Sequence, residues 1–137
     1  MIAFNNNFNI PMKKILIVED AAVERELLIE VLRGLGIRNE VMEASSGEEA
    51  IEMLGRSYKE IGLILLDWQM AEMSGLDFME GIVKVPSVSS IPIVMVTASG
   101  SQDDQMRAKA TNPRLAGYIV KPYEPDELLK TVQAFLN

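Results

Sequence analysis

Histidine and cysteine are both missing from this chain of 137 residues. Their absence removes whole classes of chemistry. No disulfide framework, thiol nucleophile or cysteine metal site can form, and no Ser-His-Asp triad, histidine-ligated zinc or phosphohistidine relay can operate within the chain. Positive charge is also scarce: 13 Lys and Arg face 20 Asp and Glu, for a net charge of -7. That balance argues against a surface built to grip a nucleic-acid backbone. No apolar run approaches the length of a membrane span, and the opening MIAFNNNFNIPMKK lacks a basic start and is broken by asparagines and Pro11. The chain is therefore expected to be soluble and cytoplasmic, with no direct nucleic-acid partner and no membrane insertion.

What is present suits one globular domain, with 48% hydrophobic and 24% charged residues in a length that supports a single core. The Asn-rich opening reads as a flexible extension over residues 1–12, a mobile tail or a short added segment, ahead of a domain over residues 13–137.

Lys14 to Val18 (KILIV) is an apolar run too short for a helix and bounded by charge, which predicts a strand covered on both faces. Val23, Leu27, Leu28, Val31, Leu32 and Leu35 recur at helical spacing over Ala22 to Leu35, and Gly36 follows where a left-handed C-terminal residue is favoured. Glu40 to Ala44 alternates like a strand, and Ser46 with Glu49 three residues on resembles a capping box for a helix through Leu54. Ile61 to Asp67 is the next buried strand. Gly75 to Val85 predicts a helix with Leu76, Phe78, Met79, Ile82 and Val83 inward. Pro92 to Thr97 repeats the strand pattern, Gln102 to Ala110 reads as a weakly amphipathic helix, and Gly117 to Val120 is a fifth strand. Pro125 at a first helical position, followed by Leu128, Leu129, Val132 and Leu136, predicts a closing helix. Parallel strands need crossovers, and the crossovers cover the sheet. Five strands alternating with five helices therefore imply an α/β fold, a single doubly wound five-stranded parallel sheet with helices on both faces.

In open sheets of this kind ligands bind beyond the carboxyl ends of the strands, and those ends carry the polar residues here. The first strand runs into Glu19 and Asp20, the third ends at Asp67, the fourth at Thr97 and the fifth at Lys121. Carboxylates about 4 Å apart repel by roughly 4 kcal/mol at an effective dielectric near 20, so gathering three at one edge calls for a cation. Oxygen-only ligands suit Mg2+ better than zinc. With a metal on one side and the Lys121 ammonium on the other, Asp67 is placed to act as a nucleophile on a phosphoryl group, and Thr97 can donate a hydrogen bond to a phosphoryl oxygen. Each position also has an ordinary reading. Glu19 and Asp20 can be helix N-terminal residues favoured by the dipole, and Asp67 the start of a turn. Thr97 can be a β-branched strand residue, Tyr118 a half-buried strand aromatic and Lys121 the partner of a surface carboxylate.

The stretches ILIVED, LLDWQMAEMSGLDF, IPIVMVTA and GYIVKPY occur in that order between about Lys13 and the C-terminus. Together they resemble the receiver domains of two-component signalling, most of all the single-domain chemotaxis regulators. The resemblance implies a flavodoxin-like sheet in the order 2-1-3-4-5. It implies that Asp67 is the phosphoacceptor, and that Glu19 and Asp20 hold Mg2+ directly or through water, together with Asp67 and the backbone carbonyl of Gln69. It further implies that Lys121 is the site lysine, joined to Pro122 by a cis bond, and that Thr97 and Tyr118 form a switch pair. Trp68 would stand at the cleft edge as a reporter, and Gln69 and Ser99 would line the path of hydrolytic water. The implied partners are a histidine kinase or phosphotransfer protein upstream and a protein target downstream. Two features depart from the family pattern. Ala71 stands where proline is usual after methionine, which implies a more mobile loop, and Pro113 in a slightly long SQDDQMRAKATNPRLAG segment places the fourth helix in question.

The expected function is that of a phosphoacceptor response regulator, with no enzymatic activity beyond self-catalysed phosphorylation and dephosphorylation. With the sequence stopping after the fifth helix, output would be protein binding rather than an appended DNA-binding or catalytic domain. The alternatives are a phosphate-independent interaction module and a receiver excised from a larger kinase or regulator. An aspartyl phosphatase would want a second carboxylate where Gln69 stands, and a flavin carrier a Ser/Thr/Gly-rich loop where EDAAVE stands.

Overall fold

The computed structural model describes residues 12–136. The expected extension over residues 1–12 falls outside them except for Met12, as does Asn137. Five strands, β1 (Lys14–Val18), β2 (Val41–Ala44), β3 (Ile61–Leu66), β4 (Ile93–Thr97) and β5 (Gly117–Val120), alternate with five helices. The helices are α1 (Ala22–Gly34), α2 (Gly47–Ser57), α3 (Gly75–Ile82), α4 (Gln102–Thr111) and α5 (Pro125–Gln133). All pairings are parallel, in the order β2-β1-β3-β4-β5, so the order implied by the resemblance is the order observed.

The near-continuous aliphatic character of β1, β3 and β4 follows from their position. Side chains alternate between faces, and here both faces are covered. Leu16, Val18, Ile64, Leu66, Ile93 and Met95 pack in one core with Leu54 of α2 and Phe78, Met79 and Ile82 of α3. Ile15, Ile17, Leu63, Leu65, Val94 and Val96 pack in the other with Leu28 and Leu32 of α1 and Leu128 and Val132 of α5. β3 is central, which places its C-terminal residue in the middle of the sheet edge.

Helix starts follow local chemistry. Ser46, Ser74 and Ser101 each accept from the backbone N–H three residues on, at 3.0, 3.1 and 3.1 Å, satisfying donors that a helix leaves open. The capping box at α2 closes one residue earlier than expected, because Glu49 Oε1 accepts from the Ser45 N–H at 2.6 Å. α2 also runs past Leu54 to Ser57 and tightens into a 3-10 turn, Tyr58–Glu60. α3 stops at Ile82 rather than Val85: the Lys84 and Val85 N–H groups donate three residues back, to Gly81 at 3.3 Å and Ile82 at 3.1 Å, as the chain tightens ahead of Pro86, which disfavours helix at Val85. α4 forms in spite of Pro113, because its C-cap, Asn112, already has an extended backbone (φ -133°) and the proline lies beyond the helix. The apolar stripe of α1 is wider than the sheet can cover. Leu28 and Leu32 are buried, while Val23 and Leu27 are 68% and 51% exposed.

Candidate functional site

Parallel pairing continues one residue past the strands. The Glu19 N–H donates to the Ala44 carbonyl at 3.0 Å, the Asp67 N–H to Val18 at 3.0 Å and the Lys121 N–H to Thr97 at 2.8 Å. The first polar residue after each apolar run is therefore held by the ladder itself, and the predicted site residues converge on one edge. Behind Asp67 the chain turns into α3, with the Gly75 N–H donating to the Trp68 carbonyl at 2.8 Å. The peptide between Lys121 and Pro122 is cis, as the resemblance implied.

Glu19, Asp20 and Asp67 each place a carboxylate oxygen within 4.8 Å of the others. Glu19 is 5% exposed, Asp20 is exposed and Asp67 is partly buried. An all-oxygen set of three carboxylates fits a hard divalent cation, and without one the charges oppose each other. Local donors hold each group in place. Asp67 Oδ1 accepts from the Trp68 N–H at 2.8 Å and Glu19 Oε2 from the Ala21 N–H at 3.1 Å. Asp20 Oδ2 accepts from the Ala71 N–H at 3.0 Å. That last bond needs an N–H that proline lacks, so the departure at Ala71 ties the loop to the acidic pair instead of merely loosening it. Gln69 is exposed on the same loop.

The Lys121 ammonium donates to Glu19 Oε1 at 3.0 Å and to Glu24 Oε1 at 3.0 Å. Burial alone would lower the Lys121 pKa, but the bonds to Glu19 and Glu24, with the charge of Asp67, outweigh it and hold the pKa above the ordinary lysine value. Burial pushes the Glu19 carboxyl up against the opposing pull of the Ala21 N–H and Lys121, and the Asp67 charge adds to the rise.

Thr97 is fully buried, and its Oγ1 accepts from the Ser99 N–H at 3.2 Å. Tyr118 is half-buried, and its hydroxyl donates to the Ser99 carbonyl at 2.7 Å. The two predicted switch residues thus meet on one loop residue. Burial raises the Tyr118 pKa. The Ser99 hydroxyl bonds to Asp104, Asp104 pairs with Arg107 at 3.6 Å, and the Arg107 guanidinium lies 5.6 Å from the centre of the Trp68 ring. Beside Asp67 and Lys121 a cavity of about 580 Å³ opens between Leu27 and Val31 of α1, Tyr123 of the β5–α5 connection and Pro125 at the start of α5.

Glu24, Asp104 and Arg107 escaped the sequence reading. Glu24 had a local signal, since it lies one helical turn past Asp20. Its meeting with Lys121, 97 residues away, had none.

The response regulator receiver domain family matches residues 15–133. The phosphate regulon transcriptional regulatory protein PhoB of Escherichia coli (strain K12) is 34% identical over 125 residues, which make up 91% of this chain and 52% of PhoB. The chain thus spans about half the length of that relative. Chemotaxis protein CheY1 of Helicobacter pylori is 32% identical over 124 residues, 90% of this chain and 97% of CheY1. Among solved structures, chemotaxis protein CheY4 of Vibrio cholerae, crystallised at low pH, has a TM-score of 0.78 at 30% identity, covering 90% of this chain and 98% of CheY4. A response regulator receiver protein from Pseudomonas putida has a TM-score of 0.80 at 27% identity, covering 91% of this chain and 98% of its own. Matched along nearly its whole described length, and sharing the sheet and helix arrangement of these structures, the chain belongs to the receiver domains of two-component response regulators.

Proposed function

We propose that this domain accepts a phosphoryl group on Asp67 from the phosphohistidine of a kinase or phosphotransfer protein in the cytoplasm, and that the phosphorylated form changes its binding to a protein target. The observation that carries the reading is the gathering of Glu19, Asp20 and Asp67 at one sheet edge, within reach of the Lys121 chain. Asp67 would form the new P–O bond as the P–N bond to the donor imidazole breaks, with the electron pair leaving on that nitrogen. Lys121 offers a fixed positive charge for the incoming oxygens, and the buried Thr97 hydroxyl a hydrogen-bond donor. Glu19, Asp20 and Asp67, with the Gln69 carbonyl, would hold Mg2+, which when bound neutralises phosphoryl oxygens. Because Thr97 and Tyr118 both bond to Ser99, a shift of the Thr97 hydroxyl toward the phosphoryl group disturbs the anchor of the Tyr118 ring and biases an existing equilibrium between two surface states.

The test is intact mass after brief exposure to acetyl phosphate with Mg2+. One added phosphoryl group, absent in Asp67→Asn and in EDTA, is the expected result. No adduct under conditions that modify another receiver would favour the phosphate-independent module.

A further inference from the structure

Among the described residues Lys121 is the only cation whose side chain bonds a carboxylate of the acidic edge, since the Arg25 guanidinium reaches only the Glu19 backbone carbonyl, at 2.8 Å, and Lys121 is shared. Its ammonium lies 3.0 Å from Glu19 and 3.0 Å from Glu24, and the two carboxylates differ in what else they do. Glu19 belongs to the three-carboxylate cluster, where its charge is balanced whenever a cation is held. Glu24 stands outside that cluster, on the first turn of α1, and Lys121 is its sole ion-pair partner among the described residues. Its side chain is 45% exposed against 22% for Lys121, and it lines the opening that also exposes Asp67. When a cation neutralises Glu19, Glu24 is the remaining anion that holds the ammonium. A phosphoryl group on Asp67 must draw Lys121 away from it.

We propose that Glu24 is a positioning residue that competes with the phosphoryl group for Lys121, and thereby slows phosphorylation of Asp67 and weakens the binding of a phosphoryl mimic there. The proposal rests on the phosphoacceptor reading above and deepens it. Part-exposed ion pairs are weak, so the expected effect is about two- to fivefold rather than orders of magnitude.

The experiment compares the full chain with Glu24→Gln and Glu26→Gln. Glu26 is exposed on the same helix and has no ion pair among the described residues, so its substitution removes the same charge without touching Lys121. The readouts are the rate of mass gain with acetyl phosphate and Mg2+, and the affinity for beryllofluoride followed by Trp68 fluorescence. Glu24→Gln is expected to raise both by about two- to fivefold, Glu26→Gln to leave them unchanged, and Glu24→Gln to have no effect when Lys121 is already alanine. Equal effects from the two glutamates, a slower reaction in Glu24→Gln, or an effect that survives in Lys121→Ala would each overturn the proposal while leaving the acceptor assignment intact. Failure of the unsubstituted chain to take up either probe would remove that assignment and the proposal together.

Discussion

Gly75 sets where Asp67 can sit. A Cβ at this position would overlap the Asp67 carbonyl oxygen and approach the Trp68 Cα to 3.0 Å, and backbone atoms cannot swing aside as a side chain can. Gly75→Ala is expected to cost about 1–3 kcal/mol in urea unfolding and to weaken beryllofluoride binding, because the loop after Asp67 must shift to make room. Glu49 offers a residue-scale test by pH. Hydrogen bonds from the Ser45 N–H, then from its hydroxyl, hold the Glu49 carboxyl below the ordinary carboxylate range. A carboxylate with a depressed folded pKa stabilises the protein above its unfolded pKa and loses that contribution as pH falls through the folded one. Glu49→Gln keeps an acceptor oxygen and loses only the charge, so it should lower stability by about 0.3–1 kcal/mol at neutral pH, and the two urea curves should converge in acid.

Among the elements, α4 is the most lightly held. Ala108 is its single buried residue, and the Ser101 cap and the Arg107 stack on Trp68 do much of the rest. Its amides are expected to exchange with deuterium faster than those of the other four helices. Arg107→Ala should speed them by a further two- to fivefold or so, as loss of an exposed cation–π contact implies, and change Trp68 emission, with Arg107→Lys intermediate. Fast exchange confined to another helix would contradict this. The strands were legible because β1, β3 and β4, covered on both faces, admit almost nothing but aliphatic residues. The acidic edge was legible for a related reason: each apolar run stops at a residue whose polar group the ladder then carries to the edge. α1 was only half legible, since periodicity marks Val23 and Leu27 as readily as Leu28 and Leu32 and says nothing of how much of a stripe the sheet covers. Contacts such as Glu24 with Lys121 or Arg107 with Trp68 join elements whose spacing no local pattern encodes.

For the whole molecule, the net charge of -7 and the three clustered carboxylates predict that Mg2+ stabilises the fold. At ten times its dissociation constant the gain is about 1.4 kcal/mol, seen as a higher urea midpoint that EDTA reverses and Asp20→Asn abolishes. An identical midpoint with and without Mg2+ would remove the metal from the reading. The ends of β1, β3, β4 and β5 supply Glu19, Asp67, Thr97 and Lys121 from positions spread over 103 residues of chain. No fragment that lacks any of these strands can assemble the edge. On the proposed mechanism, phosphoryl uptake by Asp67 would count natively folded molecules. Mass labelling across a urea titration would weigh the native fraction directly, in mixtures where spectroscopy reports only an average.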